Sequence, residues 1–362
     1  MPRKSQPLSA ATRLRAPIAS RVGEELLSSS WLRRLRNISF LGTLDAHPES
    51  AAASSRWEHS LGVAALGLRA ADDLGLDESM TRHLVAACML HDVGHFPFSH
   101  AAEAAFARRV GGNNHHAVGR WLVLGDGPIP HERSLAPLLR RAALDPEAVW
   151  AIIDPKGPPH PARALGPLLS AAINLDTLDG IARVARTFKR RRETSPPPAI
   201  FARQDDELFL RAEALPFLDR FWRTKDAVYD QIINLPSNIL AEARLCDAVL
   251  EAFEHIVADD LLALDDAALR EALHATYSKI TIDVRHDEDF MLRDQAGWGK
   301  LVIRNRKRYV VDDEVRPDAA GLPVAAWSLR YRHTKAPAYL VARRRQLELP
   351  GLLTLELERP EL

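Results

Sequence analysis

The chain has 362 residues, and its 48 lysine and arginine side chains balance its 48 aspartate and glutamate side chains. A net charge of zero argues against the electrostatic attraction behind general nucleic-acid binding, although local basic patches remain compatible with it. The hydrophobic fraction of 46% is enough for the core of one large domain or two modest ones. Two cysteines exclude a disulfide framework, and no apolar run reaches the roughly 18 residues of a membrane span. We therefore expect a cytoplasmic protein without a membrane partner.

The first part of the chain predicts a loose terminus followed by a long helical domain. Residues 1–22 are basic and contain no acidic side chain, so we expect them to be loosely ordered. Residues 23–277 form the predicted helical domain, because helical periodicity dominates and β-branched runs are scarce. The predicted helices cover residues 61–74, 79–90, 164–184, 214–234, 238–257 and 266–277.

Two segments depart from this helical pattern. Residues 200–212 predict a short β-hairpin around Asp205 and Asp206. Residues 278–362 change character, and strands are predicted at 280–284, 300–311, 326–331 and 339–349. The predicted fold class is therefore mainly α, a helical bundle with a short β-hairpin and a small α+β C-terminal appendage. That appendage would suit a dimerisation or regulatory element.

The most informative pattern is His59, the pair His91 and Asp92, and Asp176. His59 opens the first apolar helix, and His91 ends the second, ahead of a turn that contains Gly94 and a proline. The backbone at such a turn is free enough for adjacent side chains to converge. Two imidazoles and two carboxylates on three helices of one bundle can hold a divalent metal and leave positions open for water and substrate.

A structural interpretation competes with this metal site. A single histidine or aspartate beside apolar residues is usually a hydrogen-bonded structural group. A second pair, His286 and Asp287, lies in a charged stretch and is interpreted as surface. The first pair differs in its surroundings, because apolar residues precede it and the turn Gly-His-Phe-Pro-Phe-Ser-His follows it. We expect His100, at the end of that turn, and Asp179 to be structural hydrogen-bonding groups.

These motifs resemble those of the HD-domain metal-dependent phosphohydrolases. The spaced His, His-Asp and Asp set is typical of that superfamily. Residues 56–63, Arg-Trp-Glu-His-Ser-Leu-Gly-Val, and residues 91–100 look like its deoxynucleoside triphosphate triphosphohydrolase branch. Residues 31–38, with their Arg-Leu-Arg segment, and residues 225–229, Lys-Asp-Ala-Val-Tyr, are similar to two further segments of the branch. The resemblance covers about residues 17–260 and implies an HD-type helical domain.

The metal ligands implied by the pattern and the resemblance are His59, His91, Asp92 and Asp176. They would bind one divalent ion per chain, which could be Mn, Fe, Co, Ni, Zn or Mg. Such an ion lowers the pKa of a bound water and polarises a phosphoryl oxygen. Asp92 is therefore also counted among the catalytic residues.

Further histidines are candidates for proton transfer. His95 follows Asp92 by one short turn and could donate a proton or contact phosphate oxygens. The resemblance implies a catalytic histidine at the start of a later helix, where His115 and His116 both stand. We favour His115 as the catalytic residue and assign His116 to the substrate, but the spacing alone leaves both open.

The resemblance also implies substrate contacts for three other residues. Arg56 precedes the first ligand by three residues, where the family has an arginine that contacts phosphate, and its guanidinium suits bidentate contacts. Lys225 and Tyr229 match the later helix of the branch. The expected partner is thus a nucleotide or another phosphate ester, and a homo-oligomer is compatible with the sequence.

Three positions depart from the nucleotide-cleaving members of the branch. Those members commonly follow the last metal aspartate with a basic residue, and then with a tyrosine and an acidic residue near the sugar. Here the three positions hold Thr177, Gly180 and Val184. The leading prediction is a metal-dependent phosphohydrolase that resembles the dNTP triphosphohydrolases. The alternatives are a phosphomonoesterase or phosphodiesterase for another, signalling, nucleotide, and a non-catalytic nucleotide-sensing HD module.

Overall fold

The computed structural model describes residues 10–111, 113–189, 198–204, 207–253, 264–273, 290–294 and 303–343. Within them the chain is mainly helical, as predicted. The α-helices are α1 (Ala10–Val22), α2 (Glu24–Leu27), α3 (Ser30–Arg34), α4 (Arg56–Leu74), α5 (Glu78–Leu90), α6 (His100–Arg109), α7 (His115–Leu124), α8 (Ala136–Arg141), α9 (Pro146–Ile153), α10 (Pro167–Ser170), α11 (Leu175–Thr187), α12 (Leu215–Val228), α13 (Pro236–Ala252), α14 (Asp266–Ala272) and α15 (Val324–Arg330). A π-helix at Tyr229–Ile233 continues α12.

The strands form two small antiparallel sheets in the described residues. They are β1 (Phe201–Gln204), β2 (Glu207–Leu210), β3 (Phe290–Asp294), β4 (Ile303–Val311), β5 (Leu322–Pro323) and β6 (Tyr331–Arg343). The hairpin predicted near residues 200–212 is confirmed by the antiparallel pairing of β1 with β2, and β5 adds to β2. In the second sheet β6 lies between β3 and β4. The predicted fold class, mainly α with a short hairpin and a small α+β C-terminal region, is confirmed.

The expectation of a loose terminus is wrong for residues 10–22. These residues form α1, in which Ile18 and Val22 are fully buried and Leu14 packs against the core. The three apolar side chains repeat every four residues, so they share one face of a helix. The basic residues between them obscured this spacing. Residues 1–9 lie outside the described part of the chain.

The strand predicted at residues 326–331 is also wrong, because α15 occupies most of it. Val324, Trp327 and Tyr331 follow a helical spacing, and the last two are buried. Trp327 also donates its indole N–H to the Leu322 carbonyl at 2.8 Å, which closes the helix onto β5. The strand predicted at residues 280–284 lies outside the described residues.

The three helices that carry the metal motifs begin at well-capped residues. Ser55 and Glu58 form a capping box at the start of α4. Asp77 accepts the Met80 N–H ahead of α5, and Asn174 accepts the Thr177 N–H ahead of α11. These caps are local sequence signals, and they determine where along each helix the motif residues fall.

The C-terminal sheet packs on α12 through a buried ion pair. The Arg330 side chain is 8% exposed, and its Nη2 lies 2.7 Å from Asp219 Oδ2 in α12. Tyr331 donates its hydroxyl to the same carboxylate at 3.0 Å, and Trp222 donates its indole N–H to the Arg332 carbonyl at 3.1 Å. Because breaking one side of such a pair leaves a buried charge, these contacts hold β4 and β6 against α12.

Candidate metal centre and active site

The four residues of the metal motif meet at one point between α4, α5 and α11. His59 lies in the first turn of α4, Asp176 lies in the first turn of α11, and His91 and Asp92 follow the end of α5. His59 Nε2 is 3.0 Å from Asp176 Oδ1, 3.5 Å from Asp92 Oδ2 and 3.3 Å from His91 Nε2. His91 Nε2 is 3.4 Å from Asp92 Oδ1. His59, His91 and Asp176 thus form a group close enough to hold one ion, and Asp92 lies beside it, within 3.5 Å of both histidine Nε2 atoms.

The hydrogen bonds of the two imidazoles suit a cation at this point. His59 Nδ1 donates to Asp179 Oδ2 at 2.7 Å, and His91 Nδ1 donates to the Cys88 carbonyl at 2.8 Å. Both acceptors lack a proton, so Nδ1 carries the hydrogen in each neutral ring and Nε2 has a free lone pair. The two Nε2 atoms face each other, an arrangement that a shared cation would stabilise. The donor set thus fits a divalent transition metal.

The electrostatics of the cluster also favour a bound cation. Burial lowers the pKa of His91, but Asp92 and Asp176 outweigh it and raise this pKa to about 9. Burial raises the pKa of Asp92, but His91 and Arg56 hold it well below its usual value. The carboxylates are therefore ionised near neutral pH, and their field attracts positive charge. A metal ion would take the place of the proton that this field otherwise draws to the imidazoles.

Asp179 and Arg183 fix the orientation of His59 through its Nδ1 atom. Arg183 donates from Nε to Asp179 Oδ2 at 3.0 Å and from Nη2 to the Glu58 carbonyl at 2.9 Å. A Cβ atom at Gly62 of α4 would collide with the Asp179 carboxylate, so only glycine allows α11 to approach this closely. The sequence predicts a structural role for Asp179, and its contact with the candidate ligand His59 gives it an orienting role.

Arg56 contacts protein groups with all three of its guanidinium nitrogens. Nη1 donates to Asp92 Oδ2 at 2.7 Å, Nε donates to Ser99 Oγ at 2.8 Å, and Nη2 donates to the Phe40 carbonyl at 3.2 Å. Ser99 itself lies at a left-handed φ of 53°. The side chain of Arg56 is 5% exposed, and it borders the cavity described below. In this structure Arg56 therefore orients Asp92.

His115 stands at the start of α7 and forms a short hydrogen bond with Glu103 of α6. The Glu103 Oε1 atom accepts both the His115 backbone N–H, at 3.1 Å, and the His115 Nδ1–H. His100 contacts the other carboxylate oxygen at 2.8 Å. Burial raises the pKa of Glu103, but the two histidines outweigh it and lower it strongly. The ionised carboxylate holds His115 with Nε2 as its free nitrogen, which is the arrangement of an oriented acid or base. Sequence analysis did not identify Glu103, because only the packing of α6 on α7 brings it here.

His95 packs against His115 and does not line the cavity that is described in the next paragraph. Its ring stacks on His115 at a centroid distance of 4.1 Å and an angle of 10°, and it is fully buried. Burial and the nearby Arg56 hold its pKa well below the usual range, so it is neutral at pH 7. Gly94 permits this packing, because a Cβ atom there would collide with the backbone at His115 and Gly119.

A cavity of about 330 Å³ opens on the metal motif, and we name it the front cavity. Its size is within the range of small-molecule sites. All of the predicted substrate residues border it, as do the three departing positions: Arg56, His116, Lys225, Tyr229, Thr177, Gly180 and Val184. Phe40, which was not predicted, lies beside Gly180 and over His59 at a centroid distance of 4.5 Å. An aromatic ring therefore stands next to the position that lacks the family tyrosine.

Lys225 lies between two aromatic rings at the edge of the front cavity. Its Nζ is 4.4 Å from the Trp222 ring centroid and 4.6 Å from that of Tyr309. Burial lowers the pKa of Lys225 to about 8. Tyr309 belongs to β4, and its ring also contacts Tyr229 at 4.8 Å. The C-terminal sheet thus contributes directly to the site, a contact for which the sequence has no local signal.

A family model, the HD domain, matches residues 56–179 of this chain. The match begins at Arg56, ends at Asp179, and includes all four residues of the metal motif. Residues 56–179 therefore carry an HD domain, the domain shared by the HD superfamily of metal-dependent phosphohydrolases. The helical fold around the motif agrees with this class.

Several curated proteins are similar to parts of the chain. The uncharacterized MG461 homolog of Mycoplasma pneumoniae is 27% identical over 235 residues, which cover 61% of this chain and 54% of that protein. YwfO of Bacillus subtilis is 38% identical over 28% of this chain and 23% of its own length. A deoxyguanosinetriphosphate triphosphohydrolase-like protein of Rhodopseudomonas palustris is 46% identical over 17% of this chain and 16% of its own length. The chain spans about half the length of the first of these relatives.

Two solved structures share the fold over most of the chain. A phosphohydrolase from Bacteroides thetaiotaomicron superposes with a TM-score of 0.67 and 17% identity, covering 88% of this chain and 95% of the other. A hypothetical protein from Aquifex aeolicus superposes with a TM-score of 0.64 and 18% identity, covering 90% of this chain and 93% of the other. Among the described residues, no helix has both the length and the apolar character that crossing a bilayer requires.

Proposed function

We propose that this protein hydrolyses a nucleotide or a related phosphate ester with a divalent metal bound by His59, His91, Asp92 and Asp176. The observation that carries the proposal is the pair of Nε2 atoms, 3.3 Å apart, that face each other beside two ionised carboxylates at the edge of the front cavity. When bound, the ion would polarise a phosphoryl oxygen and lower the pKa of a water. A module that only senses nucleotides would not need such a site.

The chain's own residues account for substrate orientation and proton transfer. Hydrolysis adds the oxygen of water to phosphorus and a proton to the leaving oxygen. His115, held by the Glu103 carboxylate and bordering the front cavity, is our candidate for the proton donor, a role that requires its imidazolium form with a proton on Nε2. We do not assign this step to His95, which is enclosed behind His115 and does not border the cavity. Lys225, which borders the same cavity, would bind phosphate oxygens.

Release of triphosphate from a deoxynucleotide is the specific reaction that we favour. The motif resemblance and the short similarity to a deoxyguanosinetriphosphate triphosphohydrolase-like protein support it. The test is a screen of the full chain, loaded with Mn²⁺, against dNTPs, NTPs, mononucleotides and cyclic nucleotides, with phosphate and triphosphate release as the readout. We expect turnover of at least one of these esters. A metal-loaded protein that binds nucleotides without cleaving any of them would instead favour the sensing module.

Gly180 and Val184 predict weak selection between deoxyribose and ribose. Neither side chain has a polar atom, and the adjacent Phe40 ring has none either, so these residues cannot hydrogen-bond a sugar hydroxyl. Discrimination built on a buried polar contact is lost when the contact is absent. We expect kcat/KM for matched dNTP and NTP pairs to agree within about tenfold. A preference above about a hundredfold for the deoxy form would mean that other residues recognise the sugar. Such weak selection would also suit a phosphomonoesterase or phosphodiesterase acting on another nucleotide.

The two-ring contact of Lys225 predicts a role for Tyr309 in substrate binding. Replacing Tyr309 with leucine removes one cation–π contact and admits water to the ammonium group. We expect KM to rise about 3- to 30-fold, the equivalent of about 0.7 to 2 kcal/mol, with little change in kcat. Tyr309→Phe keeps the ring and serves as the control, with KM within about twofold of the wild type.

The pKa of Lys225 adds a pH dependence to the same experiment. Because this pKa is about 8, the ammonium form that binds phosphate is lost as the pH rises through that value. We therefore expect KM of the wild type to rise above about pH 8, and we expect the rise to begin at higher pH in Tyr309→Leu. Equal KM values for Tyr309→Leu and Tyr309→Phe across this range would exclude the ring from substrate binding.

A further inference from the structure

Helix α11 separates the front cavity from a second cavity of about 360 Å³, which we name the back cavity. Along α11, groups of residues border the front cavity and the back cavity in turn, with the period of the helix. The front cavity is bordered by Asp176, Thr177, Gly180, Ile181 and Val184. The back cavity is bordered by Leu178, Asp179, Ala182, Arg183 and Arg186. One helix therefore forms the common wall of the two cavities.

The back cavity combines apolar walls with two arginines, Arg183 and Arg186, and two acidic residues, Glu58 and Asp179. Leu66 of α4 and Phe217 and Phe221 of α12 provide apolar surface opposite α11. Arg186 lies at the exposed edge, and within the described part of the chain it forms no ion pair. The volume is within the range of small-molecule sites. Such a site selects a compact ligand with an apolar ring and one anionic group.

Both acidic residues of the back cavity are already hydrogen-bonded, and the charge of Asp179 is offset by its ion pair with Arg183. Glu58 accepts the Ser55 backbone N–H at 3.1 Å and the Ser54 hydroxyl at 3.3 Å. Asp179 accepts His59 Nδ1–H at 2.7 Å and Arg183 Nε–H at 3.0 Å. Among the described residues at this edge, the Arg186 guanidinium is the group with unused hydrogen-bonding capacity.

Two consecutive hydrogen bonds connect the back cavity to the metal motif. Arg183, in its wall, holds Asp179, and Asp179 holds His59 through Nδ1. Asp176 lies one turn before Asp179 on the same helix. A ligand that shifts Arg183 or α11 would therefore change the direction of His59 Nε2 and the position of Asp176. Metal affinity depends on such outer contacts, and losing one typically costs about 10- to 100-fold.

We propose that the back cavity is a regulatory site for a small anion with an aromatic or branched apolar body, and that its occupation changes the affinity of the metal site. The proposal rests on His59 being a metal ligand, as stated under the proposed function. Coupling of this kind is reciprocal, so bound metal must change the affinity for the anion by the same factor.

Anilinonaphthalene sulfonate, an aromatic anion with environment-sensitive fluorescence, is a suitable probe for the full-length chain. We expect one saturable site, and we expect saturating probe to change the Mn²⁺ dissociation constant by at least about fivefold, with the reciprocal change when Mn²⁺ is present. Arg186→Glu should weaken the probe by about tenfold or more and leave Mn²⁺ affinity without probe unchanged. Arg108→Glu, at an exposed arginine of α6 that lies outside both cavities and forms no ion pair among the described residues, is the matched control.

Two further variants keep the test independent of any one substitution. Ala182→Trp should fill the back cavity and exclude the probe, and Asp179→Asn should bind the probe but lose the coupling to Mn²⁺. Equal probe affinity in the wild type, Arg186→Glu and Ala182→Trp would overturn the site. Unchanged Mn²⁺ affinity with saturating probe would overturn the regulation. Failure of Mn²⁺ to bind at all would refute the proposed metal centre and the coupling, while selective loss of the probe in Arg186→Glu would still establish the anion site.

Discussion

Replacing Asp92 with asparagine is expected to remove the metal and to lower hydrolysis by about 10³-fold or more, the equivalent of about 4 kcal/mol of transition-state stabilisation. Asp92 combines two tasks, because it faces both histidine Nε2 atoms and also accepts Arg56 Nη1–H at 2.7 Å. Asparagine keeps the volume but loses the charge that offsets the buried guanidinium. Some loss of stability is therefore expected as well, since one partner of a buried pair remains uncompensated.

Metal content, measured by mass spectrometry on the purified chain, is the direct readout for Asp92→Asn. We expect about one divalent ion per chain in the wild type and less than about a tenth of that in the variant, with the helical circular dichroism largely retained. The second His-Asp pair of the sequence offers a matched control, and Asp287→Asn should retain the full metal content. Full occupancy in Asp92→Asn would refute its assignment as a ligand.

Replacing His115 with alanine is expected to lower kcat by about 10² to 10⁴ while the metal is retained. The reason is that His115 borders the front cavity and is oriented by Glu103, yet it lies outside the four-residue metal motif. Glu103→Gln should cause a smaller loss in the same direction, because it removes the charge that orients the imidazole but keeps a hydrogen-bond acceptor. Steady-state rates with saturating Mn²⁺ and substrate measure both effects.

His116 provides the control for this assignment. It is the sequence neighbour of His115 and borders the same cavity, but no hydrogen bond in the described residues joins it to Glu103. We expect His116→Ala to affect KM more than kcat. A larger kcat loss in His116→Ala than in His115→Ala would exchange the two roles. Unchanged kcat in both variants would assign proton donation to another residue or to water.

Much of the candidate site could be predicted from residue type and local context. His59, His91 and Asp176 were identified because each stands at a helix end next to apolar residues, and helix ends carry their own signals in the capping residues Ser55 and Asn174. The hairpin could be predicted for a similar reason, since its pairing depends on neighbouring residues. The mistaken strand at residues 326–331 shows the limit, because short apolar runs fit either a strand or a helix until their packing is known.

The choice between His115 and His116 could not be made from the sequence. Both stand in the first turn of α7, and helical geometry points them in different directions. Only the position of α6 shows which one meets Glu103. The same holds for His95, whose distance from Asp92 along the chain gave no indication that its ring would be enclosed behind His115.

The sequence alone determined that the chain carries an HD domain, because candidate metal ligands and helix caps are recognised from residue types a few positions apart. The tertiary structure decided how the site is completed. Tyr309 reaches Lys225 because β4 packs on α12, where Asp226 accepts the Tyr309 backbone N–H at 2.8 Å. Gly62 likewise lets the Asp179 carboxylate of α11 approach α4 at the wall of the back cavity. Such contacts join residues far apart in the chain, and their formation depends on shape and burial in the folded core, which local patterns do not specify.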